Sequence, residues 1–89
     1  VAAPIVPAPS EITLDRAPAA LATVRAALSG GPVVIDLAPL SRFDSSAVAV
    51  LVAVRREAGA RASFRNVPPN LRKLASLYGV EAALFGSAG

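Results

Sequence analysis

Glu11 to Leu14 alternates polar and apolar positions, the signature of a short strand. Past Asp15 the spacing changes, and Leu21, Val24 and Leu28 recur at helical intervals. Asp15 suits the cap of that helix and Pro18 its first turn, with Gly30-Gly31 as its end. Residues 33–37, Val-Val-Ile-Asp-Leu, form a continuous branched run between turn residues. Such a run predicts a central strand covered on both faces.

Residues 47–54 are ambiguous. Ala-Val-Ala-Val-Leu-Val-Ala-Val has the composition of a strand. Its surroundings favour a helix. The stretch from Asp44 to Gly59 has helical length, opens on Asp-Ser-Ser, and carries Gly59 where a C-terminal cap belongs. At helical periodicity Ala47, Val50, Leu51, Val54 and Ala58 make the core stripe, with Val48 on its flank.

Ser63 to Val67 predicts another short strand. Pro68-Pro69-Asn70 opens a helix whose Leu71, Leu74, Ala75 and Tyr78 share a face, and Gly79 stops it. Val80 fits the apolar residue after a Schellman ending, and Glu81 to Phe85 adds a last helical turn. The order β-α-β-α-β-α predicts an α/β domain: a mixed sheet near Ile12, Val34 and Phe64, with helices packed against it. Pro4, Pro7 and Pro9 make residues 1–10 an extended arm or a poor edge strand, leaving residues 11–89 as the domain proper.

Composition narrows the chemistry. Of 89 residues, 54% are hydrophobic, but 20 of these are alanine, so the core rests on Val, Leu, Ile and Phe. There is no Cys and no His, which excludes disulfides, thiolate or imidazole metal sites and any nucleophile served by a histidine base. No cofactor or metal site is expected. The net charge of +3 is mild, its basic residues are dispersed, and four aromatics make no base-stacking platform, so nucleic acid is not the expected partner. The longest uncharged windows fall well short of the roughly 20 residues of a membrane span. Val1 in place of an initiator Met implies processing or trimming, and the start lacks the basic region of a secretory signal, so a cytoplasmic location is expected.

The outer face of the 44–59 helix is the informative surface. Opposite the core stripe lie Ser45, Ser46, Ala49, Ala53 and Arg56, with Val52 and Glu57 at the edges. Solvated helix faces usually carry Lys, Glu and Arg, whereas a smooth Ser/Ala surface suits close approach by another protein. Capping alone by Asp44 or Ser45 is the plainer alternative. Other candidates are weaker. Gly30-Gly31 lacks the Gly-Lys-Ser/Thr of a phosphate loop. Asp36 and Asp44 could pair as carboxylates, but Asp36 in a strand leading into a loop better suits local capping or pairing, and Ser45 with Lys73 could imitate a Ser-Lys dyad, though nothing in the spacing demands it. Arg72-Lys73 suits a solvated face or an acidic patch on a partner. Tyr78 suits core or rim packing.

Residues 33–37, Phe-Asp-Ser-Ser-Ala-Val-Ala-Val-Leu at 43–51, Asn-Val-Pro-Pro-Asn-Leu-Arg-Lys-Leu-Ala at 66–75 and Leu-Tyr-Gly-Val at 77–80 together resemble the STAS family. These domains are shared by sulfate transporters and anti-sigma-factor antagonists. The resemblance spans Ile12 to Leu84, and a hydrophobic strand leading to Asp-Ser-Ser at a helix start is fairly specific. The ending at 74–80 is most similar to MlaB-type subunits, the cytoplasmic STAS components of a phospholipid ABC transporter that maintains outer-membrane lipid asymmetry.

The resemblance implies a non-enzymatic subunit at the inner face of the inner membrane. Its partner would be the transporter ATPase, contacted through Asp44, Ser45, Ser46, Ala49, Val52, Ala53 and Arg56. Ser45 matches the hydroxyl residue presented to the ATPase, and Ser46 the serine phosphorylated in sporulation-type antagonists. The alternative it implies is an antagonist that binds an anti-sigma kinase, with Ser46, or Ser45 beside it, as the phosphorylation site. Ala47 departs from the Gly usual in antagonists. The family's N-terminal strand pair is represented by Glu11 to Leu14 and the Pro-rich start, which implies an altered sheet edge or one completed by a second copy of the chain.

Overall fold

The computed structural model describes residues 3–86. Five strands and four helices follow one another along it: β1 (Ile5–Pro7), β2 (Glu11–Ile12), α1 (Ala17–Ala26), β3 (Val33–Asp36), β4 (Arg42–Phe43), α2 (Ser46–Ala58), β5 (Ala62–Arg65), α3 (Pro69–Leu77) and α4 (Glu81–Phe85). A single 3₁₀ turn, Gly59–Arg61, links α2 to β5. The predicted α/β architecture is therefore the one observed. Its sheet is assembled differently. Where one mixed sheet through Ile12 was expected, β1, β3 and β5 form a three-stranded sheet in the order β1-β3-β5, and β2 pairs with β4 in a separate ladder. All of these pairings are parallel.

Of the two descriptions of the Pro-rich start, edge strand is the one realised. Val34 donates its N–H to Pro4 O and Ala8 donates to Asp36 O, each at 2.8–2.9 Å. By the alternation of a parallel ladder, Val6 also faces β3, so Ile5 and Pro7 turn their backbone groups outward. Proline is tolerated there because its missing N–H falls on the open side. That register leaves Ile5 N–H as the outward donor of β1.

β3 is central, as expected, but only one of its faces is fully covered. Val33 and Ile35 are buried, whereas Val34 and Asp36 are half-buried. The run at 47–54 is helical, and the whole predicted stripe of α2, with Val48, is in the core. The local strand propensity loses because α2 buries that stripe among α1, α3, α4 and β5. Each such Val or Leu contributes roughly 1.5–3 kcal/mol of burial. Gly59 ends α2 at φ 60°, ψ −138°, a conformation that disfavours any side chain.

Three local expectations need correction. Asp15 does not cap α1: Arg16 holds that position and no side chain caps it, although Pro18 does lie in the first turn. Gly30-Gly31 does not end the helix, which stops at Ala26 on Ala27. Thr13 and Leu14 leave the strand after Ile12 and enter the turn to α1. The Schellman ending of α3 is present in full. Val80 N–H reaches Ala75 O at 2.9 Å and Gly79 N–H reaches Ser76 O at 3.0 Å, with Gly79 at φ 75°.

Arg55 is an unforeseen structural tie. Its guanidinium donates to Ala83 O at 3.0 Å, to Leu84 O at 2.7 Å and to the carbonyls of Gly59 and Ala62, while lying 5.2 Å from the Phe64 ring centre. One side chain thereby fastens α4, the end of α2 and the outer edge of β5. Its place on the wheel, two turns after Val48 on the flank of the core stripe, is the signal that could have shown this. Replacing Arg55 by Met keeps the apolar stem but orphans these carbonyls. The expected loss is on the order of 1–3 kcal/mol, read as a lower urea midpoint with unchanged slope; an unchanged midpoint would refute the role.

Candidate functional site

The site begins with the β2–β4 ladder, which brings the turn at Leu14 beside the start of α2. Leu14 N–H donates to Asp44 Oδ2 at 3.0 Å. The other oxygen, Oδ1, accepts the Ser46 N–H at 2.8 Å and the Ser46 hydroxyl. The Asp44 carboxylate therefore does the capping. Ser45 occupies the N-cap position but makes no side-chain capping bond, and it is exposed. The two serines differ in consequence. Ser46 is half-buried with its hydroxyl committed to Asp44, whereas Ser45 presents its hydroxyl outward.

A shallow groove of about 1110 Å³ runs from this junction along the outer face of α2. All seven residues picked out for partner binding line it: Asp44, Ser45, Ser46, Ala49, Val52, Ala53 and Arg56. Leu14 and Tyr78 border it as well, 76% and 56% exposed respectively, and Val80 adds a further apolar wall. Sequence patterns missed these three because long-range packing brings them in. Arg25 spans from α1 to Glu57 on α2 at 2.8 Å, neutralising that end. Tyr78, at the C-cap of α3, is a rim residue; its presumed face-mates Leu71 and Ala75 are buried.

The other candidates are accounted for by local bonds. Asp36 accepts from Ala38 N–H at 3.0 Å, Asn66 Nδ2 at 2.9 Å and Arg65 at 3.3 Å, none of them a group that Asp44 uses. Lys73 lines a different groove from Ser45, so no Ser-Lys dyad forms. Arg72 is engaged within the fold, with Glu81 at 3.4 Å and the Phe85 ring centre at 5.0 Å, rather than free for a partner. Among the described residues no cluster of three or more acids could hold a metal ion, and no helix is long and apolar enough to cross a membrane.

The Ser46 hydroxyl, then its amide and the Leu14 amide, hold the Asp44 carboxyl below its ordinary range. The Asn66 side chain and the Ala38 amide do the same for Asp36. A depressed carboxyl stabilises the fold above its unfolded pKa, near 3.8 for both groups, and this contribution disappears as pH falls through the lower folded value. Thermal midpoints should thus hold from neutral pH to about 5 and fall below about 4. Asp44→Asn should flatten part of that acid limb; an identical limb in the variant would show that Asp44 does not contribute to it.

A small α/β domain that displays a capped Asp-Ser-Ser helix start over a smooth groove is consistent with a STAS domain. The match to the family described as "Mlab, STAS domain" covers residues 2–86, so the chain belongs to that family and is a STAS domain of MlaB type. No curated protein and no solved structure matches the chain significantly. Domains of this family are generally non-catalytic and regulatory.

Proposed function

We propose that this chain is a non-enzymatic subunit that binds the ATPase of a phospholipid ABC transporter and regulates or stabilises it. It docks through the start and outer face of α2, at the cytoplasmic side of the inner membrane. The observation that carries this reading is the exposed Ser45, free of capping duty, at the head of a groove floored by Ala49, Val52 and Ala53. Membership of the MlaB-type family supports the choice of partner. The ATPase supplies the nucleotide site.

The antagonist alternative draws less support. Phosphate on Ser46 would bring about −1.5 to −2 charges against the Asp44 carboxylate that its hydroxyl now serves. Co-expression with a tagged ATPase of a phospholipid ABC transporter from the same cell tests the proposal. Stoichiometric co-purification at moderate salt is expected. Failure to associate, or capture by an anti-sigma kinase instead, would overturn it.

A further inference from the structure

Among the described residues the exposed large hydrophobics are Ile5, Leu14, Leu77 and Tyr78. All but Ile5 line one of two grooves. A second groove of about 710 Å³ is lined by Thr13, Leu77, Leu74, Phe43, Arg42 and Lys73 among others. Its Thr13 and Leu77 are the chain neighbours of Leu14 and Tyr78, which border the groove on α2. The two depressions are thus bordered by consecutive residues at 13–14 and 77–78, three of the four apolar, and Leu77 is 78% exposed. An apolar rim between two hollows is the relief expected of a protein-binding surface.

Charge selects the occupant. The charged groups lining the two grooves are Arg25, Arg42, Arg56 and Lys73 against Asp44 and Glu57, a surplus of two cations. Arg25 is matched with Glu57, Arg42 leans on Glu11 at 3.8 Å, and Asp44 is filled by Ser46 and Leu14. Arg56 and Lys73 have no ion-pair partner among the described residues.

We propose that the two grooves form one docking surface for an acidic, apolar-bearing segment of a protein partner. That segment packs on Leu14, Leu77 and Tyr78 and directs carboxylates to Arg56 and Lys73. The proposal rests on the docking function above and extends its footprint from α2 to the turn at 13–14 and the end of α3. A protein segment fits better than a lipid surface, because the relief is concave and polybasic membrane sites use clusters of about 4–8 cations, whereas here Arg56 and Lys73 alone among the groove cations lack an ion-pair partner among the described residues.

The test uses the full chain with the tagged ATPase. Leu77→Gln and Lys73→Glu, both at exposed positions, should keep the wild-type melting temperature, weaken association at least tenfold each, and reduce its salt dependence in the Lys73 variant. Hydrogen exchange in the wild-type complex should show protection at 77–78 and 13–14 as well as along α2. If both variants bind like wild type while Ser45→Glu abolishes binding, the docking function stands and the extended footprint is wrong. If wild type forms no complex, both fall. Binding to phosphatidylglycerol vesicles that is lost in both variants, with ATPase binding intact, would assign the rim to the membrane and overturn the proposal.

Discussion

Leu51→Asp abolishes the folded state. Leu51 is 3% exposed in the middle of α2 and belongs to the one contiguous core. The substitution removes roughly 1.5–3 kcal/mol of burial and places a carboxylate in a core whose buried side chains, among the described residues, include none that is polar or charged. Desolvating that ion costs several kcal/mol more, against a total stability of about 5–15 kcal/mol for ordinary domains. A small domain lies at the low end of that range. The variant is expected to lack a cooperative melt and the sharp, dispersed amide spectrum of the parent. Leu51→Ala, at roughly 2–5 kcal/mol, should still fold with a lowered midpoint. A folded, cooperatively melting Leu51→Asp would mean that the core does not depend on α2 as described.

Ser45→Glu produces the opposite pattern: the fold survives and the partner is lost. Ser45 is exposed, has helical backbone angles (φ −63°, ψ −18°) and makes no capping bond, so no capping bond is lost. A carboxylate near a helix N-terminus is even favourable, by roughly 0.3–1 kcal/mol. On the partner side, a long charged chain now stands at the head of a groove otherwise floored by small residues. Binding to the ATPase should fall by at least a hundredfold in a titration, with a melt within a degree or two of wild type. Normal binding, or a melt as poor as that of Leu51→Asp, would remove Ser45 from the interface.

The contrast between these two substitutions was readable from helical periodicity alone. Ala47, Val50, Leu51, Val54 and Ala58 fall on one side and Ser45, Ala49 and Ala53 on the other, provided that the segment is a helix. Asp44 and Gly59 at its ends supplied that condition. The Schellman ending was equally legible, because Gly79 and Val80 encode it within a few residues. Other features escaped because they depend on residues far apart in sequence. The bond from Leu14 to Asp44 spans 30 positions, and Arg55 reaches Leu84 across 29. A period describes which side of an element is buried. It does not say which other element does the burying, so Leu14 and Tyr78 could not be assigned to the groove they border. Nor could the division of the strands into two ladders be seen, since Glu11-Ile12 is too short to specify its partner by pattern.

Pro7 and Arg55 matter most when many copies of the chain are crowded together. Sheets grow by adding strands to open sides, and the same addition between molecules seeds fibrous precipitates. On one side of this sheet the outward position at Pro7 has nothing to donate, and on the other Arg55 already occupies the Ala62 carbonyl. Each flank of the sheet is therefore blunted at one position, which shortens the stretch over which a strand from another molecule could pair continuously.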